Sequence, residues 1–311
     1  MKVVYYTGES DLATVFVAQN EENKIIEFVE SVQPGIPIDK KWVLIVSTMF
    51  GCPVNCNFCD AGGDYKGMLS EVEILWQIDF LINKKGFSKN IDIEKFKIQF
   101  ARMGEPSLNK NVLNVLKQLP QKYNAPGLMP SISTIAPSGV IEFFDKLIEI
   151  KNKYYKSRFQ LQFSIHTTDE SLRNKIIPVK KLSFPEISKI GQKFYNEDER
   201  KVTLNFALEE NYPVDINILE KYFSPEIFCL KITPINPTTK VITNNLKSAL
   251  VDENNFNSTV EELLNSKYEI ILSVGDYEEN KIGSNCGQYI NNYLKSKNND
   301  KESYSYDLVK Y

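Results

Sequence analysis

Six short runs rich in β-forming residues, near positions 42–48, 96–101, 128–134, 159–165, 201–207 and 227–233, are separated by stretches in which apolar residues recur at helical spacing. Strands that alternate with helices in this way are joined in parallel, because each connection must carry the chain back along the sheet. The first helix is the best marked. Ser70 and Glu73 make a capping box, Ile74, Leu75, Ile78, Leu81 and Ile82 lie on one face, and Gly86 can close the end. The strands are two-faced: Phe159, Leu161 and Phe163 alternate with Gln160, Gln162 and Ser164, Val202, Leu204 and Phe206 with Thr203, Asn205 and Ala207, and Phe228, Leu230 and Ile232 with Cys229, Lys231 and Thr233. With helices between the strands, the apolar set is expected to face the helices and the polar set a lumen. Six such units close most of the way round, so the expected fold is α/β and barrel-like, with its site at the C-terminal ends of the strands.

Three cysteines follow the first of these strands in Phe-Gly-Cys-Pro-Val-Asn-Cys-Asn-Phe-Cys-Asp, as Cys52, Cys56 and Cys59. Three thiolates on one short loop can hold a metal centre and leave a fourth coordination position open, which suits a 4Fe-4S cluster. A closed zinc site needs four ligands, and the remaining candidates, Cys229, Cys286 and the single histidine His166, are more than a hundred residues away. Disulfide pairing fits an odd number of cysteines poorly, and no secretory signal precedes them.

The cysteine loop resembles that of the radical S-adenosylmethionine superfamily. Five further segments narrow the resemblance to the branch of the RlmN/Cfr adenine methyltransferases. They are Met103-Gly104-Glu105-Pro106; Ser131-Ile132-Ser133-Thr134; Phe163-Ser164-Ile165-His166 with Leu172-Arg173 and Ile177-Pro178 following; Pro234-Ile235-Asn236-Pro237; and Asn285-Cys286-Gly287-Gln288. Each is weak alone, but they occur in order across residues 42 to 288. The resemblance implies a partial (β/α)6 barrel with an N-terminal β-hairpin extension, here Ala13 to Gln19 and Lys24 to Ser31 about Asn20-Glu21-Glu22-Asn23. It further implies a 4Fe-4S cluster on Cys52, Cys56 and Cys59, S-adenosylmethionine bound by Gly104, Glu105, Ser133, Ser164, Ile165, His166 and Asn236, and a reductant such as flavodoxin or ferredoxin. In that family the cysteine of the Cys-Gly-Gln segment, Cys286 here, is methylated by one S-adenosylmethionine and its methyl is activated by the deoxyadenosyl radical from a second, to add to an adenine. Glu27 matches the hairpin glutamate treated as the proton acceptor.

The chain also departs from that pattern. The family's resolving cysteine lies seven positions before the first cluster cysteine, where this chain has Ile45. The arginines that precede the family's final glycine turn are replaced by Leu272-Ser273-Val274 before Gly275. Both losses set ribosomal RNA apart as a substrate. Three classes of function stay open: a methyltransferase acting on an adenine of RNA or a related ring, a radical enzyme in which Cys286 donates a hydrogen atom or relays a radical without methyl transfer, and a cluster-bearing binding protein. Strand parity places Cys229 on the lumen face, about 13 Å below the rim at 3.3 Å per residue, which is too deep to replace the missing thiol.

Composition adds bounds. The 311 residues, 42% hydrophobic and 25% charged, are those of an ordinary globular enzyme, and no apolar run approaches a membrane span. A net charge of -3 argues against indiscriminate nucleic-acid binding but not against a local basic rim. Lys151, Lys153, Lys156 and Arg158, and Lys180 with Lys181, read as solvated surface charge. Reduced cysteines and a labile cluster imply a cytoplasmic, low-oxygen setting. The expected division is a hairpin extension at 1–38, a radical core at 39–297 and a polar, loosely attached tail at 298–311, with the RNA-gripping domain that precedes the hairpin in the family expected to be missing. Neither the substrate nor the oligomeric state follows from the sequence.

Overall fold

The computed structural model describes residues 1–252, 254–285 and 304–311. Cys286, with Gly287 and Gln288, lies outside the described residues. The strands are β1 (Lys2–Glu9), β2 (Ala13–Gln19), β3 (Ile25–Ser31), β4 (Lys41–Val46), β5 (Met49–Cys52), β6 (Gly63–Met68), β7 (Lys95–Phe100) and β8 (Leu128–Thr134). They continue with β9 (Gln160–Ser164), β10 (Val202–Leu208), β11 (Phe228–Pro234), β12 (Leu250–Asp252), β13 (Asn255–Phe256), β14 (Ile270–Leu272) and β15 (Val309–Lys310). The helices are α1 (Glu71–Lys84), α2 (Asn111–Lys122), α3 (Ile141–Ile150), α4 (Glu170–Ile176), α5 (Phe184–Phe194), α6 (Ile216–Tyr222), α7 (Thr239–Thr243), α8 (Ser258–Leu264) and α9 (Tyr277–Ile282).

Eleven of the described strands form one mixed sheet in the order β14-β11-β10-β9-β8-β7-β4-β3-β2-β1-β15. From β4 to β14 every neighbouring pair is parallel, while β4-β3, β3-β2, β2-β1 and β1-β15 are antiparallel. This is a mixed α/β fold with a large sheet. The six parallel strands fall within a residue or two of the runs read from the sequence, because period-2 burial and period-3.6 burial leave different marks on a chain. Phe96, Ile98 and Phe100, Leu161 and Phe163, and Leu204 and Phe206 are all sealed in one core with the helix residues Leu81, Leu116, Leu147 and Ile187. Helix α1 starts at the expected box, with the Ser70 hydroxyl and the Glu73 carboxylate each satisfying the other's backbone N–H.

The structure corrects the reading in three places. Lys2–Glu9 forms a strand before the two N-terminal runs, so the chain does not begin at the hairpin. The described part of the tail is anchored: β15 pairs with β1, Tyr304 donates to Asp60 at 2.6 Å and Tyr306 to Glu9 at 2.5 Å. Tyrosine hydroxyls with partners at both ends of a sheet bind a segment that composition alone marks as loose. Lys151 is not solvated charge. It is 1% exposed, donates to the Phe194 carbonyl at 3.0 Å and pairs with Glu199.

Candidate active site

The cysteine loop leaves the C-terminal end of β4 and is shaped by its own small hairpin, β5 against β6. Gly51 at its root has φ +73°, and a side chain there would meet the Asp64 carbonyl at 2.6 Å. Gln77 of α1 clamps the chain just before the loop, accepting from the Ser47 N–H at 2.9 Å and donating to its carbonyl at 3.0 Å. On the other side α7 holds the loop. Lys240 Nζ donates to Asn55 Oδ1, the Cys56 carbonyl and the Gly62 carbonyl at 2.7, 3.2 and 3.3 Å, Thr238 to the Phe58 carbonyl at 2.8 Å, and Asn244 to the Asn57 carbonyl at 2.7 Å. In return the Asp60 carboxylate accepts the N–H groups of Thr239 and Lys240, two orphan donors at the start of α7.

Cys52, Cys56 and Cys59 pack with Val54, Ile135, Ile176 and Ile177. Burial pushes the Cys52 thiol up to about 11, and Cys56 well above the ordinary thiol range, with the neighbouring cysteines and Glu105 adding to the shift of Cys56. Such a site favours thiolates only once a cationic centre is among them. Among the described residues no three Cys, His, Asp or Glu side chains converge to hold one metal ion. A single zinc ion needs each thiolate at about 2.3 Å from the same point. An iron-sulfur cluster takes one thiolate per iron and spreads them, so three soft donors on one buried loop fit a cluster better than a lone ion.

Glu105 lies beside these thiols, 4% exposed. Its Oε1 accepts from Ser107 N–H at 3.1 Å, Ser107 Oγ at 2.7 Å and Thr134 Oγ1 at 2.5 Å, and its Oε2 from Ile135 N–H at 2.9 Å. Burial raises its proton affinity and these four neutral donors lower it. Gly104 precedes it at φ +98°, where a Cβ would meet Met49 at 2.6 Å, so the close approach of this turn to the cysteine loop requires glycine.

His166 is in the left-handed region, φ 65°, and 4% exposed. Its Nδ1 accepts the Ala207 N–H at 3.0 Å, and its ring stands edge-on to Phe58 of the cysteine loop at 4.8 Å. Burial, with Arg173 adding, brings it down to about 3, so the ring is neutral and its proton sits on Nε2. The Ile165 side chain belongs to the core rather than the site. Ser164 ends β9, its carbonyl taken by Arg173 at 3.3 Å, and Ser133 lies next to the end of β8. Asn236 shares a small cavity with Thr238, Asn280, Gly283, Asn285 and Tyr304.

Glu27 is fully buried and paired with Arg102 at 2.6 Å. Arg102 also donates to the carbonyls of Gly283, Ser284 and Asn285 at 2.8, 3.0 and 3.4 Å, gathering the end of α9 and the residues that lead into Cys286. Ile45 packs with Val15, Val29, Ile282 and Tyr306 in a small apolar cluster. Cys229 is buried against Thr203 at 3.6 Å, and burial raises its thiol. The sequence reading missed Arg102, Ser107, Thr134 and Lys240. Three of them adjoin or lie within two residues of residues it did name, and the Thr238-Thr239-Lys240 run after Pro237 carries the hydroxyl of a helix N-cap.

No protein-family profile matches the chain. It is 32% identical over 171 residues to the probable dual-specificity RNA methyltransferase RlmN of Trichormus variabilis, covering 54% of this chain and 43% of that protein. The probable RlmN of Trichodesmium erythraeum is 28% identical over 247 residues, covering 77% and 66%. The dual-specificity RNA methyltransferase RlmN of Buchnera aphidicola subsp. Cinara cedri is 33% identical over 161 residues, covering 50% and 42%. The chain thus spans about half the length of most of these curated relatives. Among solved structures, a radical SAM methyltransferase from Sphaerobacter thermophilus has the same fold at a TM-score of 0.69, 18% identical, over 92% of this chain and 80% of that one. In sequence and in fold, this chain is similar to the RlmN/Cfr-like branch of the radical S-adenosylmethionine superfamily.

Proposed function

We propose that the chain is a radical S-adenosylmethionine enzyme that methylates an adenine of RNA or a related ring. One observation supports this reading above the others: segments far apart in sequence, at 52–60, 102–107, 133–135, 164–166 and 236–240, meet at the C-terminal ends of successive strands of the sheet. In this reading Cys52, Cys56 and Cys59 each hold one iron of a 4Fe-4S cluster, and residues 39–297 form a partial (β/α)6 barrel, with a hairpin extension at 1–38 and the tail at 298–311 built onto its sheet. When bound, the cluster supplies the electron that cleaves S-adenosylmethionine. Flavodoxin or ferredoxin in the cytoplasm reduces it.

The protein's part is positioning. Glu105 presents a carboxylate to an ammonium group beside the cysteine loop, held in one orientation by Thr134, Ser107 and the Ile135 N–H. Neutral His166 offers an Nε2–H donor and buttresses Phe58, and Gly104, Ser133, Ser164, the Ile165 backbone and Asn236 line the remainder of the cofactor site. Cys286 is the methyl carrier. Glu27 accepts a proton in this scheme, its carboxylate kept in place by Arg102.

A second reading, a radical enzyme in which Cys286 donates a hydrogen atom and no methyl moves, is favoured by Ile45, which puts an apolar cluster where the family has its resolving thiol. Product counting on anaerobically reconstituted protein separates the two. S-adenosylhomocysteine together with 5'-deoxyadenosine, and an S-methylated Cys286 peptide by mass spectrometry, are the expected results. Deoxyadenosine alone with an unmodified thiol selects the second reading, and neither product under conditions where the cluster is intact removes both.

A further inference from the structure

The face of β4 and β7 to β11 opposite the helices carries an unusual charge pattern. Its residues are Lys41, Val43 and Ile45; Lys95, Lys97 and Gln99; Met129, Ser131 and Ser133; Gln160, Gln162 and Ser164; Thr203, Asn205 and Ala207; and Cys229, Lys231 and Thr233. Four are lysines and none is a carboxylate. Lys97 and Lys231 lie on strands four positions apart in the sheet order, yet each feels the other's charge. In a flat sheet their strands would be about 19 Å apart, at about 4.8 Å per strand. Their interaction therefore fits a sheet curled so that the two side chains point into one lumen. Lys41, Lys95 and Arg200 add to the same repulsion on Lys97, and among the described residues Lys97 has no hydrogen-bond or ion-pair partner. Burial and this repulsion bring Lys97 down to about 7.

A cleft of about 460 Å³ opens at the N-terminal ends of these strands, lined in part by Lys95, Met129, Arg158 and Arg200. Met129 is the register partner of Lys97. Of the carboxylates at this mouth, Glu94 is engaged by Lys40 and Glu199 by Lys151, leaving Asp198. A buried cationic pair on a carboxylate-free wall is unfavourable until an anion arrives, and this one is reached from the end of the lumen opposite the cysteine loop.

We propose that the lumen binds the phosphate of a nucleotide between Lys97 and Lys231, admitted through the cleft at the N-terminal ends of the strands, so that the attached base points toward the cysteine loop. This rests on the radical-enzyme reading only for the nature of the base. The phosphate is either that of a mononucleotide or an internal phosphodiester of RNA, the chemistry at the lysines being the same.

The test compares adenosine 5'-monophosphate with adenosine by titration calorimetry on the reconstituted full chain at pH 7. The monophosphate is expected to bind at least about tenfold tighter, the worth of a hydrogen bond to a charged group. Lys97→Met and Lys231→Met should each abolish that preference while adenosine binding, iron content and the urea midpoint are kept. A short adenosine-containing RNA without terminal phosphates that competes, and whose competition is lost in Lys97→Met, assigns the phosphate to RNA. Competition by the mononucleotide alone assigns a small substrate. Equal affinity for the two nucleosides, or a preference that survives either substitution, overturns the proposal. Deoxyadenosine release measured on the same samples reports on the radical reading independently.

Discussion

His166 shows how one residue can be read correctly in place and still be incomplete in role. It stands at the end of β9, where its motif put it, but the left-handed backbone, the Ala207 N–H on Nδ1 and the Phe58 contact make it a support of the cysteine loop as well. None of these shows in the sequence, because the partners lie 41 and 108 residues away. Its proton balance has a measurable consequence. The unfolded chain takes up a proton near pH 6.5 that the folded state refuses until about 3. The stability that neutral His166 contributes is complete above pH 6.5 and is lost as the pH falls from there toward 3, at up to about 1.4 kcal/mol per pH unit. Urea midpoints should therefore decline across that window, and His166→Asn, which tolerates the backbone, should flatten the decline.

Glu105 is a second test at the same scale. Glu105→Ala orphans the Ile135 and Ser107 N–H groups and should cost about 1–3 kcal/mol of folding stability. If the carboxylate also grips the cofactor, S-adenosylmethionine affinity should fall by about 1.5–3 kcal/mol in Glu105→Ala, and Glu105→Gln should lose affinity with a smaller loss of stability. Affinity unchanged in both variants would sink the binding role.

At the scale of elements, long periodic segments were legible and short ones were not. Helix α1 and the six parallel strands carry enough residues for a period to show. Strand β15 has two residues and α7 five, and what fixes them is a partner, β1 for one and the cysteine loop for the other. Helix α9 is the element most dependent on a distant residue. Arg102 ties its end to β3 through Glu27 and also sits favourably against the negative end of the helix. Arg102→Met should destabilise by about 3–5 kcal/mol, because Glu27 is left buried and unpaired. Adding Glu27→Gln should recover a large part of that, a non-additivity that a double-mutant cycle by urea unfolding would read. Additive losses would show that the two groups are not coupled.

For the whole molecule, the parallel architecture and the location of the site at the strand ends followed from alternation and motif order, whereas the anchoring of the tail and the extra N-terminal strand came only from tertiary pairing. The cysteine loop is a surface feature of this architecture rather than part of its core, held by α7 from outside. Changing Cys52, Cys56 and Cys59 to Ala should therefore abolish iron binding after anaerobic reconstitution while leaving the urea midpoint of the iron-free protein nearly unchanged. A triple variant that retains four irons per chain would refute the assignment.

The order of strands in the sheet has a consequence in time. From β4 to β14 each strand is laid beside the one before it in the chain, and from β3 to β1 the same holds in the other direction. The sheet can thus assemble piece by piece as the polypeptide emerges, every addition closing only a modest loop. The contacts that reach back across nearly the whole chain are different: Arg102 to Gly283–Asn285, Asp60 to Tyr304, and β1 to β15. They can form only after almost everything else is in place, so the face that carries the cysteine loop is finished last, and refolding should show a slow phase reported there while the body of the sheet is already native.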